Sequence, residues 1–301
     1  MSRTTPDSES SAQNFLASRA TRWQLRSRTL ELPRCPLVMG ILNVTPDSFS
    51  DGGQFFDHTI AVEHGLRLAA EGAEILDVGG ESTRPYSVPV PVEEELKRVV
   101  RVIRELTSQL TIPISIDTSK AAVARAALDV GAEIINDITA FQGDNAMVSV
   151  AVQSSAAVCA MHMQGTPQTM QDNPHYKDVV AEVFEFLRAR RDALTEAGIE
   201  HARIALDPGI GFGKSHAHNL TLLSHCDRFH ALGCPLLVGH SRKGFIAKQL
   251  GDPQPDPLAG TIGVALSLAG QGVQILRVHD VLNVRQALAL FEATGGLSHI
   301  A

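Results

Sequence analysis

Short apolar segments alternate with longer amphipathic segments along most of this chain, and few folds accommodate that pattern. From Leu37 onward, eight apolar runs contain many β-branched residues: LVMGILN, EILDV, PISID, EIIND, AAVCAM, RIALD, PLLVG and QILRV. Runs that are apolar almost throughout are typical of parallel strands buried on both faces. Between such runs, residues 92–106 and 179–194 place apolar side chains at the three- and four-residue spacing of one helix face.

Eight strand–helix pairs in succession predict an α/β fold, a (β/α)8 TIM barrel, in a single domain over residues 21–298. A doubly wound open sheet is the alternative, because strand order cannot be read from sequence, but the number of repeats and the 301 residues favour the barrel. Alternating polar and apolar residues over 22–34 predict a short β-hairpin before the barrel. Residues 1–20 are polar without periodicity and are expected to form a disordered tail.

Polar residues end the predicted strands, and in a barrel these ends share the face on which active sites are built. These residues are Asn43, Asp77, Asp117, Asn136, Met161-His162, Asp207, Ser241-Arg242-Lys243, Arg277 and His279. One aspartate after a strand is commonly the N-cap of the next helix. Eight successive polar ends are difficult to explain as eight caps, so they predict a cavity with a mixed lining.

Three of these residues offer groups that accept hydrogen bonds. Asp117 and Asp207 carry carboxylates and Asn136 carries an amide. Because a buried carboxylate is costly unless donors face it, Asp207 favours a flat heterocycle with two parallel N–H groups.

A second group is cationic although the chain as a whole is acidic. Arg277 and His279 are two residues apart on an extended segment and point the same way, which suits two oxygens of one phosphate, with Lys243 and Arg242 nearby. The alternatives are that Arg277 pairs with Asp280 and that Lys243 is a solvated residue at the start of a helix.

Several function classes are disfavoured. The net charge of −7, from 26 Lys+Arg against 33 Asp+Glu, argues against a nucleic-acid surface. No apolar stretch reaches the ~20 residues of a membrane span. The four cysteines are far apart, which favours reduced thiols and a cytoplasmic protein. The segment DPGIGFGKS fails the P-loop pattern at Pro208 and the dinucleotide pattern at Lys214.

Two long polar segments follow the first two predicted strands. NVTPDSFSDGG (43–53) and GGESTRPYSVPVP (79–91) are longer than ordinary strand–helix turns, and the first has the character of a mobile lid.

Together these segments resemble the dihydropteroate synthases, the folate-pathway enzymes that sulfonamides inhibit. The matching stretches are MGILNVTPDSFSDGG, GAEILDVGGESTRP, ISIDTSK, EIINDI, MHMQGTP, LDPGIGFGK, VGHSRKGF and RVHDV, in that order from Met39 to Val281. The resemblance implies a barrel that joins 4-aminobenzoate to (7,8-dihydropterin-6-yl)methyl diphosphate. It also implies Mg2+ as cofactor and a homodimer through the last barrel helices.

The resemblance also implies roles for individual residues. For pterin diphosphate they are Thr83, Asp117, Asn136, Met161, Asp207, Phe212, Lys243, Arg277 and His279. For 4-aminobenzoate they are Phe49, Thr83, Arg84, Pro85 and Ser241. The catalytic set is Asp47, Asp51, Asp117, Lys243 and Arg277, and Asn43 is the metal ligand. Tyr86 departs from the family, in which a small residue commonly follows the STRP stretch.

The implied chemistry is a dissociative substitution in which diphosphate leaves before the aniline nitrogen attacks. Two other functions are considered. A methyltetrahydrofolate-dependent methyltransferase would share the pterin carboxylates but has no use for the SRK and RVH groups. A paralogue that binds pterin without catalysis should have lost its lids first.

Overall fold

The computed structural model describes residues 15–45, 54–251 and 256–300. A hairpin comes first, formed by β1 (Arg22–Gln24) and β2 (Thr29–Glu31). In the described part of the chain, eight further strands form one parallel sheet. They are β3 (Leu37–Asn43), β4 (Ile75–Gly79), β5 (Ile114–Asp117), β6 (Ile134–Asp137), β7 (Ala157–Met161), β8 (Ile204–Asp207), β9 (Leu237–Gly239) and β10 (Ile275–Val278).

Strand order shows that the sheet closes into a barrel. Neighbouring strands follow the order β8-β7-β6-β5-β4-β3-β10-β9, so the first barrel strand lies between the second and the last. A parallel bridge between Leu206 and Leu236 joins the two ends of this series. The predicted TIM barrel is therefore confirmed, and the open doubly wound sheet is wrong.

Helices surround the barrel. Those described are α1 (Gln54–Ala70), α2 (Val92–Gln109), α3 (Ala121–Asp129), α4 (Met147–Ser154), α5 (Val179–Glu196), α6 (His216–Leu223), α7 (Gly244–Leu250), α8 (Pro257–Gly270) and α9 (Val281–Ala293), with 3-10 helices at His201–Arg203 and Cys226–Leu232. The side chain of Asp178 accepts hydrogen bonds from two backbone N–H groups and caps α5. The predicted helices at 92–106 and 179–194 correspond to α2 and α5.

The hairpin closes the amino end of the barrel. Trp23 is completely buried there, and its indole N–H donates to the carbonyl oxygen of Arg203 at 2.9 Å. It packs into one apolar cluster with residues of the lower barrel interior, namely Leu37, Met39, Ile75, Ile134, Ala157, Cys159, Ala205, Leu237 and Ile275. The predicted hairpin therefore forms, and it acts as a plug.

The segment before the hairpin is partly ordered. Arg19 is buried and donates hydrogen bonds to the carbonyl oxygens of Gly272, Leu32 and Pro33. The predicted boundary of the disordered tail at residue 20 is therefore too late in the sequence, because Arg19 and its three carbonyl acceptors are held against the barrel. Residues 1–14 lie outside the described residues.

Two further expectations concern cysteines and membranes. Cys35 is half-buried, Cys159, Cys226 and Cys234 are buried, and all four are free thiols. Within residues 15–45, 54–251 and 256–300, no helix is long and apolar enough to cross a bilayer.

Candidate active site

Side chains that accept hydrogen bonds converge at the carboxyl end of the barrel. The strand register sets Asp117 beside Asn136 and Met161 beside Asp207. All four residues are buried. The lower interior is apolar, so polarity inside the barrel increases toward this end, as the strand-end pattern predicted.

Arg277 links these groups. Its Nε donates to Asp77 Oδ2 at 2.6 Å, and its second guanidinium nitrogen donates to Asp117 Oδ2 at 2.7 Å. Asn136 Nδ2 also donates to Asp77 Oδ2, at 3.0 Å. The alternative pairing of Arg277 with Asp280 is wrong, because Asp280 forms its ion pair with Arg242.

The carboxylates are held in an environment that opposes their charge. Burial raises the pKa of Asp117 to about 7; the nearby guanidinium of Arg277 opposes this shift and Asp77 adds to it. Burial also raises the pKa of Asp207, and there Lys243 is the largest opposing influence. For Arg277, burial alone would lower the pKa, but Asp77 and Asp117 outweigh it and raise the value. The pocket is therefore built to receive donors.

Lys243 extends over the pocket from the start of α7. Its ammonium group donates to the carbonyl oxygen of Ile210 and lies 4.7 Å from the centre of the Phe212 ring, within cation–π range. A Cβ atom built on Gly239 would lie 3.8 Å from Lys243 Nζ, in ordinary van der Waals contact, so the amine lies beside this glycine. Burial lowers the pKa of Lys243 to about 8, and Asp207 opposes that shift. The alternative of a solvated Lys243 is therefore wrong.

A cationic corner lies beside the pocket. His279 Nδ1 is 3.2 Å from Ser241 Oγ, and the His279 backbone N–H donates to the same oxygen at 3.3 Å. The pKa of His279 is lowered to about 3, chiefly by burial and also by the charges of Arg277, Arg242 and Arg84. A site in which several cations disfavour one more positive charge is suited to an anion.

The turn that carries Ser241 is strained. Arg242 has a φ of 57°, in the left-handed region that a residue with a side chain seldom adopts. Its backbone N–H donates to Thr261 Oγ1, and His240 Nε2 lies 3.1 Å from the carbonyl oxygen of Thr261. Contacts with α8 therefore hold the turn, which directs Ser241 and Lys243 into the barrel mouth.

Three of the residues predicted for 4-aminobenzoate, Thr83, Arg84 and Pro85, lie on the loop between β4 and α2, whereas Ser241 follows β9. Thr83 is half-buried, whereas Arg84 and Pro85 are exposed. Tyr86 has a φ of 63°, and its hydroxyl donates to Asp172 Oδ1 at 3.2 Å. The predicted residues Asp47, Phe49 and Asp51 lie outside the described residues.

Asn43, the predicted metal ligand, is half-buried at the end of β3. A Cβ atom built on Gly79 would lie 3.8 Å from Asn43 Oδ1 and 3.7 Å from Asp117 Oδ2, so both oxygens flank this glycine. In the part of the chain that the structure describes, no three His, Cys, Asp or Glu residues form a metal-binding group. One amide oxygen fits Mg2+ only if a substrate and water supply most of the other ligands.

Asp77 is the main residue that sequence reasoning left without a role. It is fully buried and joins Arg277 to Asn136, while its Oδ1 has no hydrogen-bond partner among the described residues. Its presence as a charged residue within a predicted apolar strand was a usable signal, although the structure places it in the middle of β4 and not at its end. Its partner is 200 residues away, so the pairing itself could not be read from the sequence.

Comparisons with known proteins agree on one family. The model of the pterin binding enzymes matches residues 39–279. The dihydropteroate synthase of Escherichia coli (strain K12) is 46% identical over 259 residues, which are 86% of this chain and 92% of that protein. Xanthomonas albilineans dihydropteroate synthase with 4-aminobenzoic acid is 47% identical, with a TM-score of 0.85 and coverage of 91% of this chain and 98% of that chain. The Yersinia pestis enzyme in a sulfonamide drug complex is 43% identical, with a TM-score of 0.85 and the same coverage of both chains.

Proposed function

The chain belongs to the dihydropteroate synthases, a family of pterin binding enzymes, and on that premise we propose how its residues carry out the reaction. The enzyme is a transferase of folate biosynthesis. It joins 4-aminobenzoate to (7,8-dihydropterin-6-yl)methyl diphosphate and releases 7,8-dihydropteroate and diphosphate. The methyltransferase considered from the sequence is therefore wrong.

The pterin ring occupies the mouth of the barrel. Asp117 and Asp207 accept its N–H groups, and Asn136 completes the polar edge. Two charge-assisted hydrogen bonds to one carboxylate compensate the desolvation that raises the pKa of Asp207. Met161 and Phe212 form the apolar walls, as the burial of Met161 and the contact of Phe212 with Lys243 support.

The diphosphate occupies the cationic corner. Arg277 and His279 bind its oxygens, with Thr83 in contact from the β4–α2 loop. In the ligand-free protein the surrounding arginines and burial keep the His279 pKa low. A bound anion opposes the effect of those arginines and raises the pKa of His279, so a larger fraction of the imidazole is protonated when diphosphate is present.

Mg2+ is the proposed cofactor, with Asn43 as its protein ligand. The half-buried amide oxygen beside Gly79 supports this, because Mg2+ prefers oxygen donors and keeps several non-protein ligands. When bound, the ion would neutralise part of the negative charge on the leaving group.

The substitution is dissociative. Negative charge grows on diphosphate as its C–O bond breaks, and Arg277 and His279 stabilise that charge more in the transition state than in the ground state. The electron-rich dihydropterin carries the resulting methylene cation, and the carboxylates of Asp117 and Asp207 stabilise it in a pocket of low dielectric. No covalent enzyme nucleophile is required.

4-Aminobenzoate binds on the outer side, against Thr83, Arg84, Pro85 and Ser241, with Phe49 completing the pocket. Arg84 is exposed but close enough to affect the His279 pKa, which supports a place beside the anion corner. Asp47 and Asp51 belong to the first lid and orient the aniline nitrogen as the lids close and exclude water. Sulfonamides inhibit by occupying the aminobenzoate position, in line with the Yersinia pestis complex.

The enzyme is proposed to work in the cytoplasm as a homodimer formed through α8 and α9. Exposed Leu282 and Leu290 on α9 support the dimer. The acidic chain has no nucleic-acid partner in this proposal.

The convergence of Asp117, Asn136, Asp207, Lys243 and Arg277 at one end of the barrel carries the proposed residue roles. The test is to mix the protein with pterin diphosphate, Mg2+ and 4-aminobenzoate, to omit each in turn, and to measure diphosphate and dihydropteroate. Product should require all three components. Pterin binding without product would favour the non-catalytic paralogue, and product without Mg2+ would refute the cofactor.

A further inference from the structure

Lys214 is a buried cation to which the proposed reaction gives no role. It follows the loop after β8 and is only 2% exposed. Its ammonium group donates to the carbonyl oxygen of Phe212 at 2.9 Å and to that of His162 at 3.4 Å, and it lies 2.9 Å from His162 Nδ1. Three acceptors therefore face the three N–H donors of one ammonium group.

The histidine is set up to accept. The pKa of His162 is lowered to about 3, chiefly by burial and also by the charge of Lys214, so its ring is neutral at physiological pH. Its ring packs edge-on against Phe186 with 4.8 Å between ring centres, which fixes its orientation. A neutral imidazole held in this way presents the Nδ1 lone pair to Lys214.

The contact between Lys214 and His162 joins the loop after β8 to the loop after β7 at the barrel mouth. A Cβ atom built on Gly209 would lie 1.8 Å from the carbonyl oxygen of His162, and one on Gly213 would lie 2.4 Å from that of Gln164. Both glycines have positive φ values, 67° and 62°. Only glycine permits this approach of backbone to backbone, and Lys214 fastens the end of the loop to the same His162 oxygen.

The fastened loop is the support for Lys243. The Lys243 ammonium group donates to the Ile210 carbonyl oxygen and lies over the Phe212 ring. The backbone carbonyl oxygen of Phe212 in turn accepts a hydrogen bond from Lys214. Asp207 begins the loop and accepts from the Gly209 N–H at 2.7 Å. Displacement of the loop would therefore move the acidic, apolar and cationic parts of the pterin pocket together.

We propose that Lys214 is a positioning residue for the pterin pocket: it holds the loop over residues 208–213 in its binding conformation and keeps a positive charge behind Asp207. This inference rests on the proposed function and assigns a pterin-specific role to a residue that does not touch the substrate.

The charges around these groups define how the effect depends on pH. Burial lowers the pKa of Lys214 well below its usual value; the Asp207 carboxylate opposes that shift and favours the ammonium form, and Lys243 adds to the shift. Burial raises the pKa of Asp207, and Lys243, Lys214 and Arg277 oppose that shift. Removal of the Lys214 charge should therefore raise the pKa of Asp207 further. As the solution is acidified, Asp207 would then be protonated, and pterin binding lost, at a higher pH than in the wild type.

The experiment compares two variants with the wild-type enzyme. Lys214→Met removes the charge and all three donors, whereas Lys214→Gln removes the charge and keeps an N–H2 group. Lys97→Met, on the exposed face of α2, is the matched control. The probe is 6-hydroxymethylpterin, which lacks diphosphate, and its affinity is measured by calorimetry across a pH series together with kcat and both KM values.

We expect Lys214→Met to weaken pterin binding by about 10-fold or more. Both variants should lose binding at a higher pH than the wild type, with the KM for 4-aminobenzoate unchanged at saturating pterin. A purely structural lysine would instead weaken binding equally at all pH values or raise both KM values, and this would overturn the proposal. Failure of both variants to fold would overturn it as well.

Failure of the proposed function is a separate outcome. If the wild-type protein does not bind 6-hydroxymethylpterin, the assignment of the pocket itself is wrong. If the wild type binds it and makes dihydropteroate while the variants behave like Lys97→Met, only the role of Lys214 is refuted.

Discussion

At the scale of single residues, Arg277 neutralises two buried carboxylates and also binds diphosphate in the proposed reaction, so one substitution removes both functions. It contacts Asp77 and Asp117 and is itself only 19% exposed, so its loss leaves two buried carboxylates without their cation. Breaking a buried ion pair from one side typically costs about 3–5 kcal/mol. We expect Arg277→Met to lower the free energy of unfolding by about this amount and to abolish turnover, as measured by urea denaturation and product formation.

The control for that prediction is Arg101→Met, which removes an exposed partner of Glu105 on α2. Exposed pairs contribute about 0–1 kcal/mol, so this variant should retain both stability and activity. An Arg277→Met protein as stable as the wild type would show that Asp77 and Asp117 do not depend on Arg277.

Asp117 should make the ligand-free enzyme sensitive to pH near neutrality. Its pKa is raised by burial to about 7, above the ~3.9 of an unfolded chain, so the folded state binds more protons between these values. The linkage sign then requires stability to fall as pH rises from about 4 to about 7. The free energy of unfolding of the wild type, measured against that of Asp117→Asn, should decline across this interval. A pH-independent difference would contradict the shift.

Ligand binding by Asp117 should follow the opposite direction. Protonation turns one Asp117 oxygen from an acceptor into a donor, so pterin affinity should fall as the pH falls below about 7. Asp117→Asn should bind weakly at every pH, as calorimetry with 6-hydroxymethylpterin would show. An equally steep pH dependence in Asp117→Asn would assign the titration to another group, with Asp207 the first to examine.

At the scale of elements, the loop after β7 connects the loops on either side of the pocket. The Tyr86 N–H donates to the Pro167 carbonyl oxygen at 3.0 Å, and its hydroxyl reaches Asp172. On the other side, Gln171 Nε2 donates to the Gly211 carbonyl oxygen at 2.9 Å. The loop after β7 therefore links the β4–α2 loop, which carries residues predicted for 4-aminobenzoate, to the loop over residues 208–213.

Tyr86→Phe tests the link between the β4–α2 loop and the loop after β7. It removes the hydroxyl contact with Asp172 and keeps the ring, so the KM for 4-aminobenzoate should rise by no more than about 5-fold, with pterin affinity unchanged. Steady-state kinetics with each substrate varied would measure this. Asp172→Asn, which keeps an acceptor oxygen, should have the smaller effect; a larger effect on the pterin KM would contradict the assignment of Tyr86 to the aminobenzoate side.

The hairpin is expected to affect stability and not catalysis, because it lies at the amino end of the barrel, opposite the candidate active site. Trp23 is fully buried at the amino end of the barrel, and truncating such a side chain typically costs about 3–5 kcal/mol. Trp23→Ala should lower the free energy of unfolding by this amount and leave both KM values unchanged in the folded fraction. A raised pterin KM would show that the plug also shapes the carboxyl end of the barrel.

Elements were predictable from the sequence because each leaves a local pattern. The runs from LVMGILN to QILRV correspond to β3–β10, and the alternation over 22–34 corresponds to the hairpin. Pairings within the site leave no such pattern. Arg277 has Asp280 three residues away yet bonds to Asp77 and Asp117, because the strand register and not chain proximity decides which side chains meet inside a barrel.

At the scale of the whole molecule, the distribution of exposed apolar side chains bears on assembly. Among the described residues, the large apolar side chains that remain exposed are Tyr86, Val88, Val152, Leu250, Leu282 and Leu290. Two of these, Leu282 and Leu290, lie on α9, which packs against α8. Leu290 is 69% exposed, and covering it would remove apolar area from water.

The proposed homodimer can be tested on that helix. The wild type should sediment with twice the 32.3 kDa chain mass, and Leu290→Glu should shift it toward a single chain, because a charge buried without a partner disfavours association. Val152→Glu on α4 is the matched control, since Val152 is 38% exposed but lies on another helix. Asp117, Asn136 and Arg277 are linked to one another through Asp77 and Arg277 within a single barrel, so the Leu290→Glu monomer should still bind 6-hydroxymethylpterin. A wild-type mass of one chain would refute the dimer, and loss of pterin binding in a folded monomer would show that the partner subunit supports the pocket.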